Sequence, residues 1–188
     1  MEDGTNTLTR REQIGGAVFV VVMQAAQFYL LGRATILLTV GMLISYFLWF
    51  GARWKKEPDA VLAYYLIAVI VQCIHFVEEF FYGFARDFPK LFGFEWSETR
   101  FVVFNLAWLV IFAVAVVGIR RGMALAYLVL FFLAIAGGIG NGIGHVLLYV
   151  WRGRYFPGVA TAPFCLIIGA ALLFTVYGRR PLATKRLQ

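Results

Sequence analysis

Long apolar runs constrain this chain more than any other feature. Four of them run from about Val61 to Gly83, Phe101 to Ile119, Met123 to Val150 and Pro157 to Tyr177. Each reaches or approaches the ~20 residues that a ~30 Å hydrocarbon core demands of a helix. A helix satisfies its backbone hydrogen bonds internally, so runs of this length in lipid read as helices. The chain is 62% hydrophobic and 14% charged, where a soluble domain is nearer half and a quarter. The expected class is therefore an all-α membrane protein.

The stretch from Ile14 to Gly51 is also apolar but would be ~57 Å long as one helix, too long for one crossing. "LGRA", Leu31 to Ala34, is the natural break. It divides the stretch into two spans in a tight hairpin, or into an interfacial helix, favoured by Gln24 and Gln27, and one span. Lys and Arg counts choose between them, because positive charge marks the cytoplasmic side. Six spans put eleven Lys/Arg on one side and six on the other, whereas five spans put eight against nine. The expectation is a bundle of about six transmembrane helices in the plasma membrane, both termini cytoplasmic, with five plus an interfacial helix as the alternative. The polar opening "MEDGTNTLTR" and the long run after it do not read as a signal peptide. "WKKEPDA", Trp54 to Ala60, reads as a linker between an N-terminal extension, residues 1–58, and a four-helix unit, residues 59–188.

The net charge of +7 sits in short clusters between apolar runs. Such clusters orient spans and touch anionic head groups, so the expected partner is membrane lipid and not nucleic acid. Cys73 and Cys165 lie inside apolar runs without metal or redox spacing.

Ionisable groups at membrane depth are costly, by about 2.5–3.5 kcal/mol for a charge near the centre, and so are usually functional. Both histidines of the chain, His75 and His145, fall inside spans, as do two of its ten acids, Glu78 and Glu79. His75 shares a helix face with Glu78 and Glu79 at spacings of three and four, and Gln72 and Tyr82 extend that stripe. His75 lies late in its span. Two spans on, in the same direction, His145 also lies late, so both approach one membrane face, the extracytoplasmic one on the six-span topology. Asn141 precedes His145 by a turn, and Asn105, early in the returning span, falls at the same level.

"AGGIGNGIGH", Ala136 to His145, carries five glycines, each costing up to ~1 kcal/mol against alanine in a helix. Gly138/Gly142 and Gly140/Gly144 have the spacing that lets helix backbones touch, which would draw His145 toward His75. A broken helix exposing carbonyls is a further option.

His75, Glu78 and Glu79 form H-x-x-E-E, His145 is a second histidine at a later span end, and Tyr155 to Gly158 supply Y-x-P-G. This ordered triple resembles the family of membrane proteins of unknown function named for its HxxEE motif, over about Asp59 to Tyr177. The resemblance implies an integral membrane metalloprotease.

The residues themselves are compatible with metal hydrolysis. Zinc takes about three protein ligands and leaves one position open. His75, Glu79 and His145 supply such a set, and Glu78 is the expected general base. The pattern is similar to H-x-x-E-H of inverted zinc peptidases, with Glu79 in place of the last histidine. Two histidines and two acids are too few for a ferritin-like di-iron site. Gln72, Asn105, Asn141 and Tyr155 are candidate supporting groups, the Tyr155 hydroxyl as an oxyanion donor. The expected cofactor is a divalent metal, zinc foremost, and the expected substrate a peptide or a lipid-like molecule.

The same residues also fit roles that need no metal. Glu78 and Glu79 would pair with Arg86 or Arg100 near the head groups, and Pro157 would merely begin the last helix. A metal-free acid–base enzyme or binder for a lipid-like molecule would use a glutamate with His75. A small transporter would run protons along the same stripe.

Overall fold

The computed structural model describes residues 8–51 and 58–177. All regular structure among these residues is helical, as the apolar runs predict. The elements are α1 (Arg10–Leu31), α2 (Thr35–Gly51), α3 (Pro58–Phe81), α4 (Phe84–Phe92), α5 (Glu98–Arg120), α6 (Ala124–Phe132), α7 (Asn141–Arg152) and α8 (Ala162–Tyr177). A 3₁₀ turn, Gly32–Ala34, joins α1 to α2, and a π-helical stretch, Leu133–Gly140, joins α6 to α7 without a break. The linker read at Trp54 to Ala60 falls mostly outside the described residues; only Pro58 to Ala60 are seen, in the first turn of α3.

Four helical segments among the described residues are long and apolar enough to cross a membrane. They are Arg10–Gly51, Pro58–Phe81, Glu98–Arg120 and Ala124–Arg152, and α8 is a shorter apolar helix. The molecule is an all-α membrane bundle. Arg10–Gly51 doubles back at "LGRA". Gly32 has φ 56° and ψ −129°, a conformation that only glycine adopts cheaply, and its N–H caps α1 on the Phe28 carbonyl. The two arms then touch: a Cβ on Gly16 of α1 would overlap the Trp49 ring of α2. Trp49 is fully buried and donates its indole N–H to the Ala124 carbonyl of α6 at 2.8 Å. This packing favours the hairpin over an interfacial helix.

Helix α6 is buried almost all round, with Tyr127, Leu128, Leu130 and Phe131 fully enclosed. Around it stand α1, α2 and α5, while α3 packs on α5 and α8. Tyr65 of α3 donates to the Phe112 carbonyl of α5 at 2.9 Å, which satisfies a phenol at membrane depth.

The glycine-rich segment departs from expectation in an instructive way. It neither breaks nor stays α-helical but widens into π geometry over Leu133–Gly140. In a π turn the partner is five residues back, and a Cβ on Gly140 would press on the Ile135 carbonyl. Gly138 and Gly142 face α8, where Cβ atoms would overlap Gly169 and Leu166, so that pair does permit close helix contact. Gly140 and Gly144 do not play this part.

Two boundaries also differ. The last helix begins at Ala162, not Pro157, because residues 157–161 form turns that are committed elsewhere. The first of the four spans ends at Phe81, and the connection after it holds α4, a short helix between left-handed glycines Gly83 and Gly93.

Candidate metal centre

Helix α3 carries His75, Glu78 and Glu79 inward, exposed by only 0%, 8% and 6%. Helix α7 brings His145, 4% exposed, to meet them. The imidazole centroids of His75 and His145 lie 4.7 Å apart with the rings nearly perpendicular. The two distant spans therefore converge at one level, as their direction along the chain predicts.

Glu79 faces both rings. Its Oε1 is 3.2 Å from His145 Nε2 and 3.6 Å from His75 Nε2. One ligand atom from each of the three residues lies within 4.8 Å of the others. The 3.2 and 3.6 Å pairs match the ~3.3 Å between ligands of a tetrahedral ion with ~2.0–2.1 Å bonds, and the widest separation, up to 4.8 Å, would have to shorten by about 1.4 Å.

The opposite edges of the rings decide where their protons are. His145 Nδ1 lies 2.7 Å from the Pro157 carbonyl, which only accepts, so Nδ1 carries the proton. His75 Nδ1 lies 2.7 Å from Thr161 Oγ1. That hydroxyl gives its one proton to Glu78 Oε2 at 2.5 Å, so His75 Nδ1 must also be the donor. In the neutral rings both Nε2 atoms are then acceptors turned toward the Glu79 carboxylate, and buried His75 Nε2 has no hydrogen-bond partner among the described residues. Three converging ligand atoms of this kind form a group that could hold a metal ion. Metal-bound histidines are held in this way, the far nitrogen donating to a carbonyl or carboxylate partner.

Glu78 has a different setting. Its carboxylate accepts from the Tyr155 hydroxyl at 2.6 Å, from the backbone N–H groups of Gly158, Ala160 and Thr161 at 3.1, 3.0 and 2.9 Å, and from the Thr161 hydroxyl. Five donors occupy it, and neither Arg86 nor Arg100 is among them. Partial burial, and then the bond to Glu78, push the Tyr155 hydroxyl above its ordinary pKa, which keeps it a donor.

Segment 155–161 is thus the frame of the site, which explains Y-x-P-G. Tyr155 and the Gly158 N–H hold Glu78, and the Pro157 carbonyl holds His145. Gly158 has φ 94°, and a Cβ there would overlap the His145 ring and crowd His75. Only glycine meets both demands.

Among the supporting candidates, Gln72, Asn105 and Asn141 line a cavity of about 430 Å³ together with Glu79 and His145. Asn105 donates to the Phe101 carbonyl one turn back, at 3.0 Å. Tyr155 is committed to Glu78. Sequence reasoning missed Thr161, whose signal is its place just before α8 and two residues before Pro163, a helix-start pattern. It also missed the aromatic cover. Phe84 of α4 lies over His145 with centroids 5.2 Å apart and contacts Phe88, Phe101 and Phe156, all buried.

A family model described as protein of unknown function with HXXEE motif matches residues 66–173, more than half of the chain. No curated protein and no solved structure matches.

Proposed function

The chain belongs to the HXXEE-motif family, and on that premise we propose that it is a metal-dependent membrane hydrolase whose divalent ion, zinc by its donor set, is held by His75, Glu79 and His145. The observation that carries this is the convergence: both Nδ1 atoms are engaged behind the rings, and both Nε2 atoms and a carboxylate oxygen of Glu79 face one another. Two histidines and one glutamate form a known catalytic zinc set. Such an ion polarises a carbonyl and acidifies water toward neutral pH.

The chain's own residues supply the rest. Only Glu79 of the two acids lines the cavity, so its second oxygen, Oε2, is the carboxylate atom that would take a proton from a water there. Glu78, expected from sequence to be the base, is assigned the positioning of segment 155–161 behind the histidines. Asn141, one turn before His145, is the nearest polar group for a substrate, with Asn105 and Gln72 farther along the cavity, and Phe84 and Phe101 exclude bulk water. Residues 59–188 form the motif-bearing domain and residues 1–58 an extension. Charge bias supports both termini in the cytoplasm of a plasma-membrane protein, with the site toward the outer face.

The 3.2 Å approach of His145 Nε2 to Glu79 Oε1 favours a second reading, an acid–base site in which one proton takes the cation's place. Metal analysis of the purified protein beside His75→Ala and His145→Ala decides. One equivalent of metal in the wild type, absent from both variants, supports the hydrolase. No metal in a folded wild type, with chelators without effect, rejects it in favour of the acid–base reading.

A further inference from the structure

The cavity beside the site has a shape and chemistry of its own. Its walls come mainly from α2, α3, α5, the π stretch and α7, with Phe84 and Phe88 of α4 and Phe132 of α6 added. Its polar lining is graded: Glu79 and His145 stand at the site, Asn141 one turn before His145, and Gln72, against Gly137, about 10 Å along α3 from Glu79, while Asn105 lines the α5 wall. Beyond Asn105 the α5 wall runs on through Trp108, Leu109 and Phe112, about 10 Å of apolar depth at 1.5 Å per residue. Phe132 also lines the cavity there. Trp108, 4% exposed, stacks on Phe132 at 4.1 Å, and its indole N–H has no acceptor among the described residues.

The cavity reaches the lipid-facing surface. Leu37, Val40 and Ile44 of α2 and Ile143 of α7 line it, yet they are also 61%, 53%, 45% and 48% exposed. Helix α2 packs on α6 and on the π stretch, where Gly41 meets Ala136, but has no comparable packing on α7. Gly144 stands in this opening, one residue before His145. Unlike Gly138 and Gly142, it has nothing within 4 Å of where a Cβ would sit. A mid-helix glycine that packs against nothing gives up helix stability without a gain in packing.

We propose that the cavity binds one long apolar chain of a membrane amphiphile, drawn from the bilayer between α2 and α7 past Gly144, with the amphiphile's amide or ester carbonyl lying at Glu79 and His145. The carbonyl's position rests on the metal reading above; binding of the chain does not. An extended peptide fits this space poorly, because each residue brings an N–H and a C=O that these few polar groups cannot satisfy. A single chain with one polar head needs partners at one end only, and the cavity volume lies within the ~300–1,000 Å³ of small-molecule sites.

The test is photolabelling in lipid nanodiscs with a long-chain N-acyl amide that carries a diazirine near the chain end. Labelling is expected on Leu109 to Phe112 or Leu38 to Ile44, competed by the unlabelled long-chain amide and not by its two-carbon analogue. Gly144→Leu is expected to cut labelling about tenfold with metal content unchanged. Should Gly144→Leu disturb its neighbour His145 and lose metal, Val40→Trp on the opposite rim, far from the ligands, is expected to give the same loss. Equal labelling in a metal-replete Gly144→Leu, equal labelling in Val40→Trp, or labelling confined to outward faces would overturn the proposal. So would competition by a sterol or a peptide in place of the acyl amide. His145→Ala separates the two readings: retained labelling without metal leaves the chain site standing even if no hydrolase exists.

Discussion

Glu78 and Glu79 are neighbours in the chain and opposites in the fold. Glu78 is surrounded by five donors and lies outside the cavity wall. Glu79 faces two bare imidazole nitrogens and lines the cavity. A rotation of ~100° between successive helix residues is enough to separate a carboxylate that organises a loop from one that is short of a positive partner. The first is stable as built. The second is a buried acid beside two histidines, a group that could hold an ion.

Removing Glu79 tests the sharper half of this contrast. Glu79→Ala is expected to weaken metal binding by more than about 100-fold, read by titration with a metal indicator. The metal-free protein should melt no lower than metal-free wild type, since a buried acceptor facing acceptors is gone. Glu78→Gln should show the reverse balance. It sets an amide NH2 against groups that already donate, so a loss of about 3 kcal/mol in stability is expected with or without metal. Metal affinity should fall about 10–100-fold through the displaced loop. If Glu78→Gln instead keeps metal and stability and loses only turnover, Glu78 is the base and the contrast fails.

Smaller changes grade the frame. Thr161→Val removes the acceptor of His75 Nδ1 and one donor to Glu78, and about a tenfold loss of metal affinity is expected. Tyr155→Phe removes one donor of five from a half-exposed position, so it should cost at most about 1 kcal/mol and change affinity less than threefold. A Tyr155 variant that loses metal would show that the mouth of the loop, not its backbone, carries Glu78.

What was legible in advance follows from what each inference depends on. The meeting of His75, Glu79 and His145 needs only helix period and span direction, both local properties. The hairpin at Gly32 needed the length limit of one crossing and the charge bias. The partners of Glu78 depend on a loop some eighty residues away closing onto α3, for which no local pattern stands. The later start of α8 has the same origin, because Gly158 to Thr161 commit N–H groups to a carboxylate before the helix begins. The widened turn at Leu133–Gly140 escaped a reading that assumes 3.6 residues per turn. Phe84 was hidden in a connection that looks merely mixed in polarity until α4 folds it over His145.

The wall that α2 gives the cavity has a consequence for comparing proteins of this kind. Leu31 to Ile44 lie outside the matched residues 66–173, yet they face the same space as Glu79 and His145. Groupings drawn from the shared motif sort such proteins by the atoms at the centre. In the chain site proposed above, part of what this protein would select is set by α2, outside the match, so a shared H-x-x-E-E does not by itself imply a shared substrate.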